Sequence, residues 1–153
     1  MLVNFEQISM TRRRLYPERP LVGVGILIKK DDHYLLIKRA AEPDAGLWSI
    51  PGGMVEVGER AVDAAIREAF EETSLKIEIE KRIGVVDKIV SDEEGRIKYH
   101  FIIIDYIAKP ISGEMSPADD ALDARWVLPR DFIEYPLTPT LIELFKRINL
   151  YPL

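Results

Sequence analysis

Glu56, Glu59, Glu68, Glu71 and Glu72 crowd one short stretch of the chain. Their spacing is what could do chemistry. Residues 60 to 73 read as a helix. On a helical wheel Val62, Ile66, Ala69, Phe70 and Thr73 share one face, expected to pack on the core. Glu68, Glu71 and Glu72 fall on the opposite face, at i, i+3 and i+4, so their side chains can converge. Ala61 and Ala64 lie on the glutamate side and would let a ligand or another segment come close.

The placement of these acids is electrostatically awkward. Glu59 sits near the helix start, where the macrodipole favours an anion. Glu68, Glu71 and Glu72 occupy the C-terminal half, where a cation is preferred. Like charges at this spacing cost about 0.2–0.5 kcal/mol per pair even in water. A divalent metal resolves the conflict. A solvated acidic face balanced by Arg60, Arg67 and Lys76 does so too, and composition alone leaves both readings open.

The rest of the composition narrows the metal. With no cysteine and only His33 and His100, thiolate sites, cysteine nucleophiles and a His-rich zinc site are excluded. Oxygen ligands point to Mg²⁺, Mn²⁺ or Ca²⁺. A net charge of -5 argues against bulk nucleic-acid binding. The amides are few, Asn4, Gln7 and Asn149, which suggests heat adaptation. No apolar run is long enough to span a bilayer. Met1 to Glu6 lacks the order of a signal peptide, so a cytoplasmic location is expected.

The elements that must position the acids follow from periodicity. The 153 residues suit one domain. Residues 1 to 20 form a leader with a basic cluster, Arg12-Arg13-Arg14, that is a solvated surface or a phosphate contact. Val22 to Ile28 and His33 to Lys38 read as a hairpin turning at Asp31-Asp32. Residues 40 to 47 read as a loop, and Trp48 to Ile50 as a short extended piece stopped by Pro51-Gly52-Gly53. Leu75 to Ile83 reads as a strand, Gly84 to Val90 and Arg96 to Ala108 as a second hairpin, Ala124 to Val127 as a late strand. Leu137 to Ile148 closes the chain as a helix. Trp48 and Trp126 are expected in the core. The fold class is α+β, a mixed sheet in layers with helices.

The segment Gly53 to Leu75 resembles the Nudix box. That box runs Gly, five residues, Glu, seven residues, Arg-Glu, an apolar residue, any residue, Glu-Glu, any residue, Gly and an apolar residue. Here Gly53 and Glu59 lead into Arg67-Glu68-Ala69-Phe70-Glu71-Glu72-Thr73-Ser74-Leu75. The one departure is Ser74 for the last Gly. It falls at the helix end, where glycine suits a left-handed cap, and touches helix termination more than metal binding. Residues 35 to 39, Gly46 to Gly53 and Ala121 to Val127 are also similar to the family, so the likeness spans roughly residues 20 to 148.

The resemblance implies an α/β/α sandwich with a loop-helix-loop box and Mg²⁺-dependent hydrolysis of a pyrophosphate in a nucleoside diphosphate linked to another group. Mn²⁺ is the alternative ion. ADP-ribose or a related nucleotide sugar is the first expectation, a nucleoside-triphosphate pyrophosphatase the second, and a non-catalytic nucleotide-binding module the third. By the same analogy Glu68 and Glu72 are metal ligands, Glu71 is a ligand or the base, the Gly53 carbonyl completes the shell, and Glu56 joins when a second ion binds. Arg67 and Glu59 brace the loop on the helix. Arg39 is a phosphate contact or a strand-end surface arginine, and Asp120 a substrate contact. Asp119, Asp120 and Asp123 are alternative bases. The leader could add a strand or a homodimer contact.

Overall fold

In the computed structural model, which describes residues 14–117 and 121–151, seven strands join into one mixed sheet. Strand β1 (Leu21–Lys30) turns into β2 (His33–Arg39), and β3 (Trp48–Ser49) and β4 (Gly52–Met54) follow. Helix α1 (Ala61–Thr73) leads to the long pair β5 (Lys76–Ser91) and β6 (Ile97–Ser112). Strand β7 (Ala121–Val127), a 3-10 turn (Pro129–Glu134) and helix α2 (Pro139–Arg147) close the chain.

Strand β1 organises the sheet. It pairs parallel with β6 from Leu21 to Ile28 and antiparallel with β4 through Gly23, Val24 and Gly25. A parallel pair needs a long crossover connection, and α1 lies within it. Because side chains alternate along a strand, β1 feeds two cores. Val24, Ile26 and Ile28 pack with Ala64, Ala65 and Ala69 of α1. Leu27 belongs with Leu141, Leu144 and Phe145 of α2 and with Phe132. Phe132 and Phe145 stack with centroids 4.6 Å apart and are fully buried. Truncating such a ring typically costs about 3–5 kcal/mol. Trp48 is buried against Tyr135, as expected of a core residue, and Trp126 is partly buried.

Three sequence expectations need correction. The strands read at Leu75 to Ile83 and Gly84 to Val90 are one strand, β5, paired along β6 through several bulges that absorb the break in alternation. The glycines read as a stop form β4, because bare backbone can lie close against β1. The packing face of α1 is rotated from the expected one. Ala64, Ala65, Ala69 and Thr73 are buried, while Ile66 and Phe70 are exposed. The helix sits tightly on the sheet, and only small side chains fit beneath it.

The end of α1 behaves as its sequence suggests. Ser74 takes the left-handed conformation, φ 64°, and its N–H donates to the Phe70 carbonyl at 2.9 Å. A side chain in that conformation is strained by about 1–2 kcal/mol, partly offset in glycine by greater unfolded-state freedom. Ser74→Gly is therefore expected to raise stability by up to about 1 kcal/mol and to leave activity unchanged. Denaturant unfolding and a kcat measurement check both halves.

At the other end of the chain, Thr138 caps α2 by accepting from the Leu141 N–H at 3.4 Å. The described part of the leader, residues 14 to 20, forms no strand; the Tyr16 hydroxyl donates to Asp92 at 2.9 Å. Among the described residues no helix is long and apolar enough to cross a membrane.

Candidate active site

Arg67 is the hub of the carboxylate segment. Its Nε and Nη2 donate to Glu59 at 2.8 and 2.9 Å, as a fork. Its Nη1 donates to Glu68 at 2.8 Å and to Glu71 at 3.2 Å, and Nη2 also reaches the Met54 carbonyl at 2.9 Å. One guanidinium thus ties the loop, β4 and two helical acids together, which its planar five-donor geometry allows. Glu59 also accepts from the Glu56 backbone N–H at 3.1 Å, closing the turn into α1.

The acids differ in environment. The Arg67 hydrogen bonds, followed by the backbone bond, hold Glu59 down at about 2. Its bracing role is therefore in force above the ordinary glutamate range and fades only as pH falls toward 2. Burial pushes the Glu68 carboxyl up, with Arg67 opposing it. The Glu68 side chain is 15% exposed, against 56% for Glu71 and 70% for Glu56.

Gly53 explains part of that burial. A Cβ built on Gly53 would overlap the Glu68 carboxylate, so glycine is what lets this acid fold back onto β4. One turn on, Glu72 accepts from the Gly52 N–H at 3.2 Å. Gly52, Gly53, Glu68 and Glu72 form one wall of a cavity of about 250 Å³. The same cavity is lined by Arg14, whose charge acts on Glu68, and by Arg39 and Lys88, and α2 contributes Leu141 and Leu144.

Of the site residues read from sequence, Gly53, Glu68, Glu72 and Arg39 meet at this cavity. Glu56, Glu59 and Glu71 gather around Arg67 outside its walls. Asp123 bonds the Ala124 N–H and Arg125 and is not in the cavity lining. Asp119 and Asp120 lie outside the described residues.

Three lining residues escaped sequence reasoning. Lys88 pairs with Asp44 of the 40–47 loop. Arg14 was legible only as part of a basic cluster. Asp105 is 2% exposed, and its Oδ2 has no hydrogen-bond partner among the described residues. Its signal was a lone charge in the apolar run Ile102 to Ile107. Burial pushes the Asp105 carboxyl up to about 7. The folded state therefore holds a proton that the unfolded chain releases near pH 4, and stability is lost as pH rises from there to about 7. Asp105→Asn removes this titration. The variant is expected to gain stability relative to the parent between pH 5 and 8, by a few kcal/mol at most, measured as paired unfolding curves.

The donor set bears on what the site can hold. Among the described residues no three His, Cys, Asp or Glu side chains come together so as to hold a metal ion by themselves. Mg²⁺ does not need such a set. It keeps several waters and takes one or two carboxylates plus substrate phosphates. Glu68 and Glu72, at i and i+4 beside a cavity, fit that open requirement.

A loop-helix-loop carboxylate segment braced by arginine, on a mixed sheet between helices, is the arrangement that the Nudix resemblance implied. The chain belongs to the Nudix family, whose NUDIX domain matches residues 19–148. It is 38% identical over 118 residues to an ADP-ribose pyrophosphatase of Methanocaldococcus jannaschii, covering 77% of this chain and 67% of the relative. It is 32% identical to a putative 8-oxo-dGTP diphosphatase of Bacillus subtilis, covering 68% of this chain and 63% of that protein. The chain spans only 54% of another relative, the low-salt glycan biosynthesis protein Agl8 of Haloferax volcanii. Among solved structures, a MutT NUDIX hydrolase from Burkholderia pseudomallei superposes with a TM-score of 0.73 at 32% identity, covering 86% of this chain and 99% of that one.

Proposed function

We propose that the chain hydrolyses the pyrophosphate of ADP-ribose or a related nucleotide sugar with Mg²⁺, or Mn²⁺ in its place. The observation that carries this reading is the meeting of Gly53, Glu68 and Glu72 with Arg14, Arg39 and Lys88 around one cavity. Carboxylates would suit a cation there, and basic groups lining the same cavity would suit phosphate. The 38% identity to an ADP-ribose pyrophosphatase supports the substrate.

In this reading Glu68 and Glu72 would hold the ion, with the Gly53 carbonyl as a further donor and Glu56 available for a second ion. A bound divalent ion neutralises phosphate charge and acidifies the attacking water. Arg67, held by Glu59, keeps Glu68 aimed at the cavity. Glu71 serves as a further ligand or as the base that takes the proton of the attacking water, and for either it must leave Arg67, which holds it outside the cavity walls. The anhydride P–O bond breaks, giving a nucleoside monophosphate and a phosphate-bearing fragment. Arg39 contacts phosphate, and Asp120 remains an expected substrate contact.

The second reading, nucleoside-triphosphate pyrophosphatase, is favoured by the relative named as a putative 8-oxo-dGTP diphosphatase. Assaying ADP-ribose, nucleotide sugars, diadenosine polyphosphates and nucleoside triphosphates with Mg²⁺ and Mn²⁺ separates the two. Turnover of ADP-ribose above the triphosphates is the expected result. Tight binding without turnover of any substrate would instead make the chain a nucleotide-binding module.

A further inference from the structure

The sheet face below the cavity carries an unusual row. Gly25 of β1 pairs with Gly52 on one side and with Asp105 on the other, and Asp105 pairs in turn with Gly84 of β5. Cross-strand partners point to the same face. Asp105 therefore stands with a glycine on either side. A Cβ built on Gly25 would overlap its Oδ1, so that glycine makes room for the carboxyl. The next row along β1 and β6, Gly23 and Ile103, again puts bare backbone in the cavity wall.

An apolar slot suits a flat ring. The Asp105 carboxyl and Ile50 lie over Gly25, and Ile103, Leu141 and Leu144 supply further apolar sides. Within it the Oδ2 of Asp105 is buried with no hydrogen-bond partner among the described residues. Buried polar atoms are nearly always paired, and each orphan needs an explanation. Ligand sites commonly take this form, an apolar slot with a few polar groups that fix orientation. The row also has the right reach. Gly52, whose N–H holds Glu72, lies two strand spacings from Asp105, about 10 Å. That is comparable to the span of a nucleotide from its phosphate to the far edge of its base.

We propose that Asp105 is a specificity-determining residue of the cavity, its free oxygen accepting a hydrogen bond from an N–H on the edge of a purine base. The inference rests on the nucleotide-hydrolase reading. It adds which end of the substrate enters the slot and what reads it.

The test is calorimetric binding of nucleoside monophosphates, beside hydrolysis of ADP-ribose. AMP and GMP carry edge N–H groups; purine riboside 5′-monophosphate has the same ring without them. The expected result is that AMP or GMP binds the parent protein at least about tenfold tighter than purine riboside monophosphate. Asp105→Leu and the smaller Asp105→Val abolish that gap, and Asp105→Asn, whose amide oxygen still accepts, keeps part of it. A purely structural role would change stability without changing the ranking of the three ligands. No gap in the parent, or a gap that survives in Asp105→Leu or Asp105→Val, overturns the base contact even if hydrolysis is normal. A gap that follows this pattern with no hydrolysis of any pyrophosphate removes the enzymatic reading and leaves the base contact standing.

Discussion

Glu68→Gln is expected to lower kcat by at least about a hundredfold at saturating Mg²⁺, while the protein stays folded. A metal ligand contributes charge stabilisation worth several kcal/mol in the transition state, and each 1.4 kcal/mol is tenfold in rate. The fold has little to lose. Glutamine keeps the shape and can still accept the Arg67 Nη1 bond, now 2.8 Å long. Arg67 retains its fork on Glu59 and its bond to the Met54 carbonyl. Burial already disfavours the charged form of Glu68, so removing the charge relieves that cost. Unfolding free energy should therefore change by less than about 1 kcal/mol, a Tm shift within about 2–4 °C. Activity that survives in Glu68→Gln and in Glu72→Gln would defeat the ligand assignment. Loss of activity accompanied by unfolding would show that Glu68 is structural.

Gly53→Ala should be the most damaging single methyl in the box. Its obstacle is steric, since the added Cβ would overlap the Glu68 carboxylate. The carboxylate must turn away, or α1 must lift from β4. Overpacking of this kind costs about 1–3 kcal/mol. A displacement of about 1 Å in a catalytic constellation can cost on the order of a hundredfold in rate. Activity is expected to fall about that far, with a smaller loss of stability. The double variant sharpens the test, because neighbours that act as a unit are not additive. On a Glu68→Gln background, Gly53→Ala should lower kcat little further. Full additivity of the two losses would mean that Gly53 acts through something other than the position of Glu68.

Much of the candidate site was legible because chemistry fixed both residue types and spacing. Glu68 and Glu72 lie one turn apart on any helix, and an oxygen-only donor set follows from a chain without cysteine. The left-handed cap at Ser74 could be foreseen from the place a glycine usually takes. The packing face of α1 could not. Periodicity ranks Ile66 and Phe70 as core because they are large and apolar, yet the helix lies too close to the sheet for them. Ala64, Ala65 and Ala69 are buried instead. The parallel pairing of β1 with β6 was equally hidden, because register between strands so far apart in sequence leaves no local pattern.

The carboxylate segment between Gly53 and Leu75 was thus determined by sequence, since a helix carries i and i+4 side chains to one side wherever it packs. What faces that segment was decided by tertiary structure. Arg14, Lys88 and Asp105 come from the leader, β5 and β6, and nothing in their local sequence ties them to the box. They meet the glutamates only because β1 pairs with β4 along one edge and with β6 along the other. Local periodicity places side chains within an element; only strand pairing sets which elements share a cavity.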